Sequence, residues 1–108
     1  MTRIAARLLV DLILRSAASQ GGFAMVLAHG DEHGGAILLQ CCERGVAGPM
    51  FERDFDGRWT RIGPAGDAGP AEQASYVTRR RAVDPDLWVI ELDIADAPRF
   101  VANLAPRD

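Results

Sequence analysis

The chain contains no lysine, and all twelve of its basic residues are arginine. Walker-type phosphate loops, Schiff-base chemistry and lysine-dependent nuclease sites therefore lose the residue that supplies their charge or nucleophile. A basic excess is missing too: the formal net charge is −3, which sets nucleic-acid binding at a disadvantage. Cysteine is confined to the adjacent pair Cys41 and Cys42. Neighbouring Cα atoms lie about 3.8 Å apart, short of the roughly 4.4 Å an ordinary disulfide needs, so no disulfide framework forms. In a strand the two point to opposite faces, which predicts reduced, buried thiols. Long apolar runs are also absent. The leading segment, with Arg3, Arg7, Leu8 to Leu14 and then Ser16-Ala17-Ala18, has the outline of a signal peptide, but Asp11 interrupts its apolar part. No run approaches the ~20 residues of a membrane span. The expectation is a cytoplasmic protein without a membrane segment.

What is present is ordinary globular composition: 108 residues, 48% hydrophobic and 25% charged. That supports one domain over residues 1–108 with a single core. Two apolar runs, Phe23 to Ala28 and Ala36 to Cys42, flank a turn of Gly, Asp, Glu and His. Both carry apolar residues at both parities, which predicts a β-hairpin at the centre of a sheet covered on both sides.

Before this hairpin, Arg3 to Ser19 has helical spacing, with Thr2 as N-cap and Gly21-Gly22 as terminator. Arg3, Arg7, Asp11 and Arg15 form a charged stripe, and Ile4, Ala5, Leu8, Leu9, Leu12 and Ile13 lie away from its middle. Val10 and Leu14 fall on the polar side, beside Arg3 and Arg7. That predicts an exposed apolar strip and self-association, most simply as a twofold dimer, through Arg7, Val10 and Leu14. Cover by Phe100 to Leu104 of the same chain is the competing expectation.

After it, Arg44 to Pro49 is rich in breakers and predicts a connection. Met50 to Phe55 and Arg58 to Ile62 predict a second hairpin around Asp56-Gly57. A two-residue loop sets Glu52 opposite Arg61 and Phe51 opposite Ile62, and a bulged three-residue loop would change that register. Gly63 to Gly69 is a loop. Pro70 opens a helix to about Val83, with Gln73, Tyr76, Val77 and Arg80 along one side, and Asp84-Pro85 stops it. The next strand turns Trp88, Ile90 and Leu92 to one face and Leu87 and Val89 to the other. Asp96 caps a short last helix holding Phe100, Val101 and Leu104, and Pro106 closes it.

The architecture predicted is α+β, a mainly antiparallel sheet of about five strands with helices packed on it, in the order α-β-β-β-β-α-β-α. A small half-open barrel is the runner-up. The N-terminal helix ending near an Arg, then Gly-Gly-Phe-Ala-Met-Val, Gly-Asp, Gly-Ala-Ile-Leu and above all Asp84-Pro-Asp-Leu-Trp-Val-Ile-Glu, resembles the bacterial family known as domain of unknown function 1491. The resemblance spans nearly the whole chain and is least clear from Arg44 to Gly69. It implies a compact bacterial intracellular domain and assigns chemistry to no residue.

Several groups of residues could carry function. His29, Asp31, Glu32 and His33 offer four metal-ligand types within five positions, although turn chemistry explains them as well. Arg53, Arg58 and Arg61 of the second hairpin with Arg80 could bind an anion or nucleic acid, with Tyr76 or Trp59 for stacking. Asp84, Asp86, Glu91 and Asp93 resemble the acidic part of a nuclease site, but a turn and a solvent-reaching strand position account for them. Cys41 or Cys42 as a nucleophile needs a base, His29 or His33, brought across the sheet. No nucleophile, base and orienter assemble from spacing. The expected function is therefore a non-enzymatic binding or protein-interaction module of the bacterial cytosol, without cofactor. A small metal- or thiol-dependent enzyme and an anion-binding protein are the alternatives.

Overall fold

The computed structural model describes residues 4–54 and 57–104. Its elements are α1 (Ala6–Ser19), β1 (Phe23–Ala28), β2 (Ile37–Glu43), β3 (Val46–Arg53), β4 (Trp59–Ile62), a 3-10 turn (Gly66–Ala68), α2 (Pro70–Val83), β5 (Trp88–Asp93) and α3 (Ala97–Asn103). The order of helices and strands is the predicted one, and the 3-10 turn lies inside the predicted loop. Thr2, Arg3, Phe55, Asp56 and Pro106, which carry predicted caps and turns, lie outside the described residues.

The five strands form one sheet in the order β1-β5-β2-β3-β4. Three of its four pairings are antiparallel, and β2 runs parallel to β5. The sheet is thus mainly antiparallel, but the predicted central hairpin does not exist, because β5 lies between β1 and β2. β1 becomes an edge strand, half of whose side chains are exposed. The hairpin partner of β2 is β3. Their tight turn uses Arg44 (φ 52°) and Gly45 (φ 80°), a two-residue loop with both central residues left-handed. The Asp93 carboxylate accepts the Arg44 N–H at 2.9 Å, which helps hold a non-glycine residue there. The predicted breakers Gly48 and Pro49 fall where the β2–β3 register slips by one residue, a bulge that tolerates the missing proline donor. Against β4, β3 pairs Phe51 with Arg61 and Glu52 with Thr60, one residue off the two-residue-loop register. The Asp54 N–H instead donates to the Arg58 carbonyl at 2.9 Å, and the Arg58 N–H donates to the Asp54 side-chain carboxylate at 2.9 Å, which leaves three residues between the two.

One sheet face carries Ile37, Leu39, Cys41, Phe51, Trp88, Ile90 and Leu92 and is covered by α1 and α3. The opposite face buries Leu38, Met50 and Val89 beneath Tyr76 and Val77 of α2. The alternation predicted for β5 holds. In α1 the buried residues are Ala6, Leu9, Val10, Ile13 and Ala17, a stripe at three- and four-residue spacing. This corrects the predicted facing: Val10 is 2% exposed and Leu8 is 58% exposed. Leu14 packs against the core, together with Phe100, Val101 and Leu104. The apolar residues α1 leaves to solvent are Leu8 and Leu12, with Ile4 just before it.

α2 starts with Pro70, has Glu72 in its first turn and Arg80 and Arg81 in its last, each suited to its end of the helix dipole. Its buried Gln73 donates its amide to the carbonyls of Gly48 at 2.9 Å and Pro64 at 3.2 Å, tying the helix to the β3 bulge and the following loop. Asp96 precedes α3 in a left-handed conformation and makes no side-chain cap bond.

Candidate functional site

The loop between β1 and β2 must cross the start of β5, and its composition follows from that crossing. A Cβ on Gly30 or Gly35 would collide with the Asp86 carbonyl, so close approach requires glycine at both positions. The Asp31 N–H donates to that same carbonyl at 3.0 Å. The Trp88 indole N–H donates to the Asp31 carbonyl at 2.7 Å, and the His29 ring lies 4.1 Å from the Trp88 ring, centroid to centroid. Past the crossing, the carbonyls of His33 and Glu32 accept the N–H groups of Ala6 and Arg7 at 3.0 and 2.9 Å. The loop thereby caps α1, whose own preceding residue, Ala5, has no capping side chain.

These contacts engage three of the four predicted ligand side chains, those of His29, Asp31 and Glu32, and the backbone of the fourth, His33. Asp31 Oδ2 accepts the backbone N–H of Gly34 at 2.8 Å and of His33 at 3.2 Å. Those bonds, that from Gly34 first, hold its carboxyl below the usual value. Glu32 pairs with Arg7 at 3.3 Å. Among the described residues, no three His, Cys, Asp or Glu side chains gather as metal donors.

The arginines are likewise separated. Arg80 forms a half-buried ion pair with Glu52 and also donates to the Tyr76 hydroxyl. The Glu52 bond is the main reason its guanidinium is held more basic than usual. Arg53 and Arg61 share the Phe51 face of the sheet by register, opposite the face on which α2 brings Arg80. Arg61 lies 5.7 Å over the Phe51 ring, and Arg58 is exposed at the end of the hairpin. Arg53 instead borders a cleft of about 330 Å³ at the end of the sheet, shared with His33, Glu52, Asp54, Asp84 and Asp86.

Both thiols are poor nucleophiles. Burial pushes Cys41 up to about 12 and Cys42 up to about 11, with Asp93 and Glu91 adding to the shift of Cys42. Neither is a thiolate near neutral pH.

The feature that the sequence pattern concealed is on the α2 face, beyond the helix. Register places Phe23, Asp93 and Cys42 in one row across β1, β5 and β2, and Met25, Glu91 and Gln40 in the next. Residues opposite one another share a sheet face. Phe23 is 60% exposed and Met25 42%, and Asp93, Cys42, Glu91 and Gln40 are half-buried. Leu27, the extra residue of a β1 bulge, is 49% exposed. The result is an open platform with an apolar outer row and an acidic inner row. Glu91 has no hydrogen-bond or ion-pair partner among the described residues. Two carboxylates at alternate positions of an otherwise apolar central strand were the available signal that this face reaches water.

A family model described as "Protein of unknown function (DUF1491)" matches residues 4–102. A crystal structure of a DUF1491 family protein from Caulobacter crescentus CB15 is similar, with a TM-score of 0.75 and 24% identity over 86% of this chain and 88% of that one. The solution structure of a protein from A. tumefaciens aligns at a TM-score of 0.79 and 24% identity over 96% and 93% of the two chains. An NMR structure of a DUF1491 family protein from Caulobacter crescentus CB15 aligns at 0.75 and 25% identity over 100% and 99%. No curated protein matches.

Proposed function

Because the chain belongs to the DUF1491 family of proteins of unknown function, and that family assigns it no chemistry, we propose from its own geometry that it is a small non-enzymatic binding module of the bacterial cytosol that docks a partner protein on its sheet. One observation carries this reading: the platform of Phe23 and Met25 beside Asp93 and Glu91, left open by the chain's own helices. Edge strands of soluble proteins are commonly protected by charge or proline. β4, the other edge, has four residues, including Arg61, whereas β1 has six residues and neither charge nor proline. An unprotected apolar edge is characteristic of an interaction surface. The bacterial setting draws support from the source of the similar structures, and the reducing compartment from two adjacent thiols that cannot bridge.

The enzymatic alternative asks for a thiolate that burial opposes, and the anion-binding alternative asks for convergence of arginines that lie on opposite faces. A photo-crosslinking amino acid at Met25, compared with one at Thr78 on the exposed side of α2, tests the proposal in bacteria expressing the chain. Adducts from position 25 and none from 78 are expected. No adduct specific to position 25 would overturn it.

A further inference from the structure

Building on that reading, we infer that the platform receives an amphipathic helix of another protein, with an apolar ridge flanked by basic side chains. Width is the first reason. Five strands at about 4.8 Å spacing span roughly 19 Å, room for two helices side by side at 8–10 Å. Among the described residues, the opposite face carries two helices, α1 and α3, and this face one, α2. The open rows cross three strands, or about 10 Å, the width of one helix.

Chemistry is the second reason. A helix laid beside α2 would meet Phe23 and Met25 along its ridge and Glu91 and Asp93 along one flank. Asp93 is engaged with the Arg44 backbone, but Glu91 has its carboxylate available. Covering Glu91 with an apolar or acidic surface would leave an uncompensated charge, which is costly, whereas an arginine or lysine would compensate it. The same charges oppose a second copy of this chain placed face to face, since a twofold arrangement offers Glu91 and Asp93 only the apolar or the acidic residues of the same platform and no basic side chain.

The test uses two designed helical peptides of about 18 residues, or five turns. Both carry a leucine ridge, one with arginine flanks and the other with glutamate flanks, and binding to the full chain is read by fluorescence anisotropy. The arginine peptide is expected to bind at least roughly tenfold more tightly than the glutamate peptide and to weaken as salt is raised. Glu91→Gln should narrow that preference, and Met25→Lys, at an exposed position of the edge strand, should remove binding. Equal binding of both peptides, no binding of either, or binding indifferent to both substitutions would overturn the inference. Light scattering that shows a dimer abolished by Met25→Lys would overturn it as well, by giving the platform to a second copy. If the peptides fail while the cross-link from position 25 still forms, only the helix assignment falls and the binding-module reading stands.

Discussion

Arg80 of α2 donates to Glu52 of β3 and to Tyr76 one turn back, so the ion pair fastens the helix to the sheet at the end of α2 remote from Gln73. Both partners are half-buried, which places the pair between an exposed bridge of little worth and a fully buried one. Arg80→Ala or Glu52→Ala is expected to cost about 1–2 kcal/mol, with a coupling of roughly 1 kcal/mol in a double-mutant cycle by urea denaturation. Additive single costs would remove the pair from the account.

Gln73 fastens the other end. Gln73→Leu keeps the apolar volume but strands the Gly48 and Pro64 carbonyls, with an expected loss of about 2 kcal/mol. The preceding loop, no longer tethered, should become more susceptible to limited proteolysis. An unchanged digestion pattern would mean that the bulge and loop hold themselves.

The α1 stripe predicts a sharp contrast between residues two positions apart. Val10→Ala should cost about 2 kcal/mol because it empties a fully packed site, whereas Leu8→Ala should stay within roughly 0.5 kcal/mol. Thermal or chemical denaturation of the two variants reads this directly, and equal costs would contradict the facing of the helix.

The thiols give a pH dependence with a definite sign. Their folded values, about 12 and about 11, lie above the ordinary thiol value near 8.5. The folded state therefore keeps its full thiol contribution below about pH 8.5 and loses stability as pH climbs toward the folded values, because the unfolded thiols ionise first. The denaturation midpoint should fall between pH 8.5 and 11, and Cys41→Ala should flatten part of the slope. Native alkylation at pH 8 should be much slower than alkylation in urea, and slower at buried Cys41 than at Cys42.

Local signals carried most of the fold. Pro70 and Asp84-Pro85 bracket α2, and the apolar run Leu87 to Ile90, with Leu92 after it, marks β5 as a strand buried on both faces. Three features escaped for physical reasons. Insertion of β5 between β1 and β2 is a nonlocal choice that leaves no trace in the period of either strand, so β1 reads as central while standing at an edge. The Arg44-Gly45 turn reads as a loop because arginine at positive φ is uncommon, and its support comes from Asp93, distant in sequence. The charged stripe of α1 misplaces the buried side, because alanines at 6 and 17 mark the contact with the core and a hydrophobicity count underweights them. Of the candidate sites, the metal and anion groups were legible as residues but not as structural parts. The platform was invisible without the strand order, since Met25 and Glu91 meet only through pairing.

The strand order also bears on how the chain comes to be folded as it is made. Among the described residues β1 has one sheet neighbour, β5, about 60 residues later, which at ordinary synthesis rates is a wait of a few to about a dozen seconds. During that interval the nascent chain can build the β2–β3–β4 meander from local contacts, but β1 cannot join it directly, because the seat beside β2 belongs to a strand not yet made. Closure is thus postponed to the arrival of β5, and contacts of such long sequence separation make that step slow. Until then an uncharged six-residue strand waits with both edges open, the period in which this protein would depend most on whatever shields it at the ribosome.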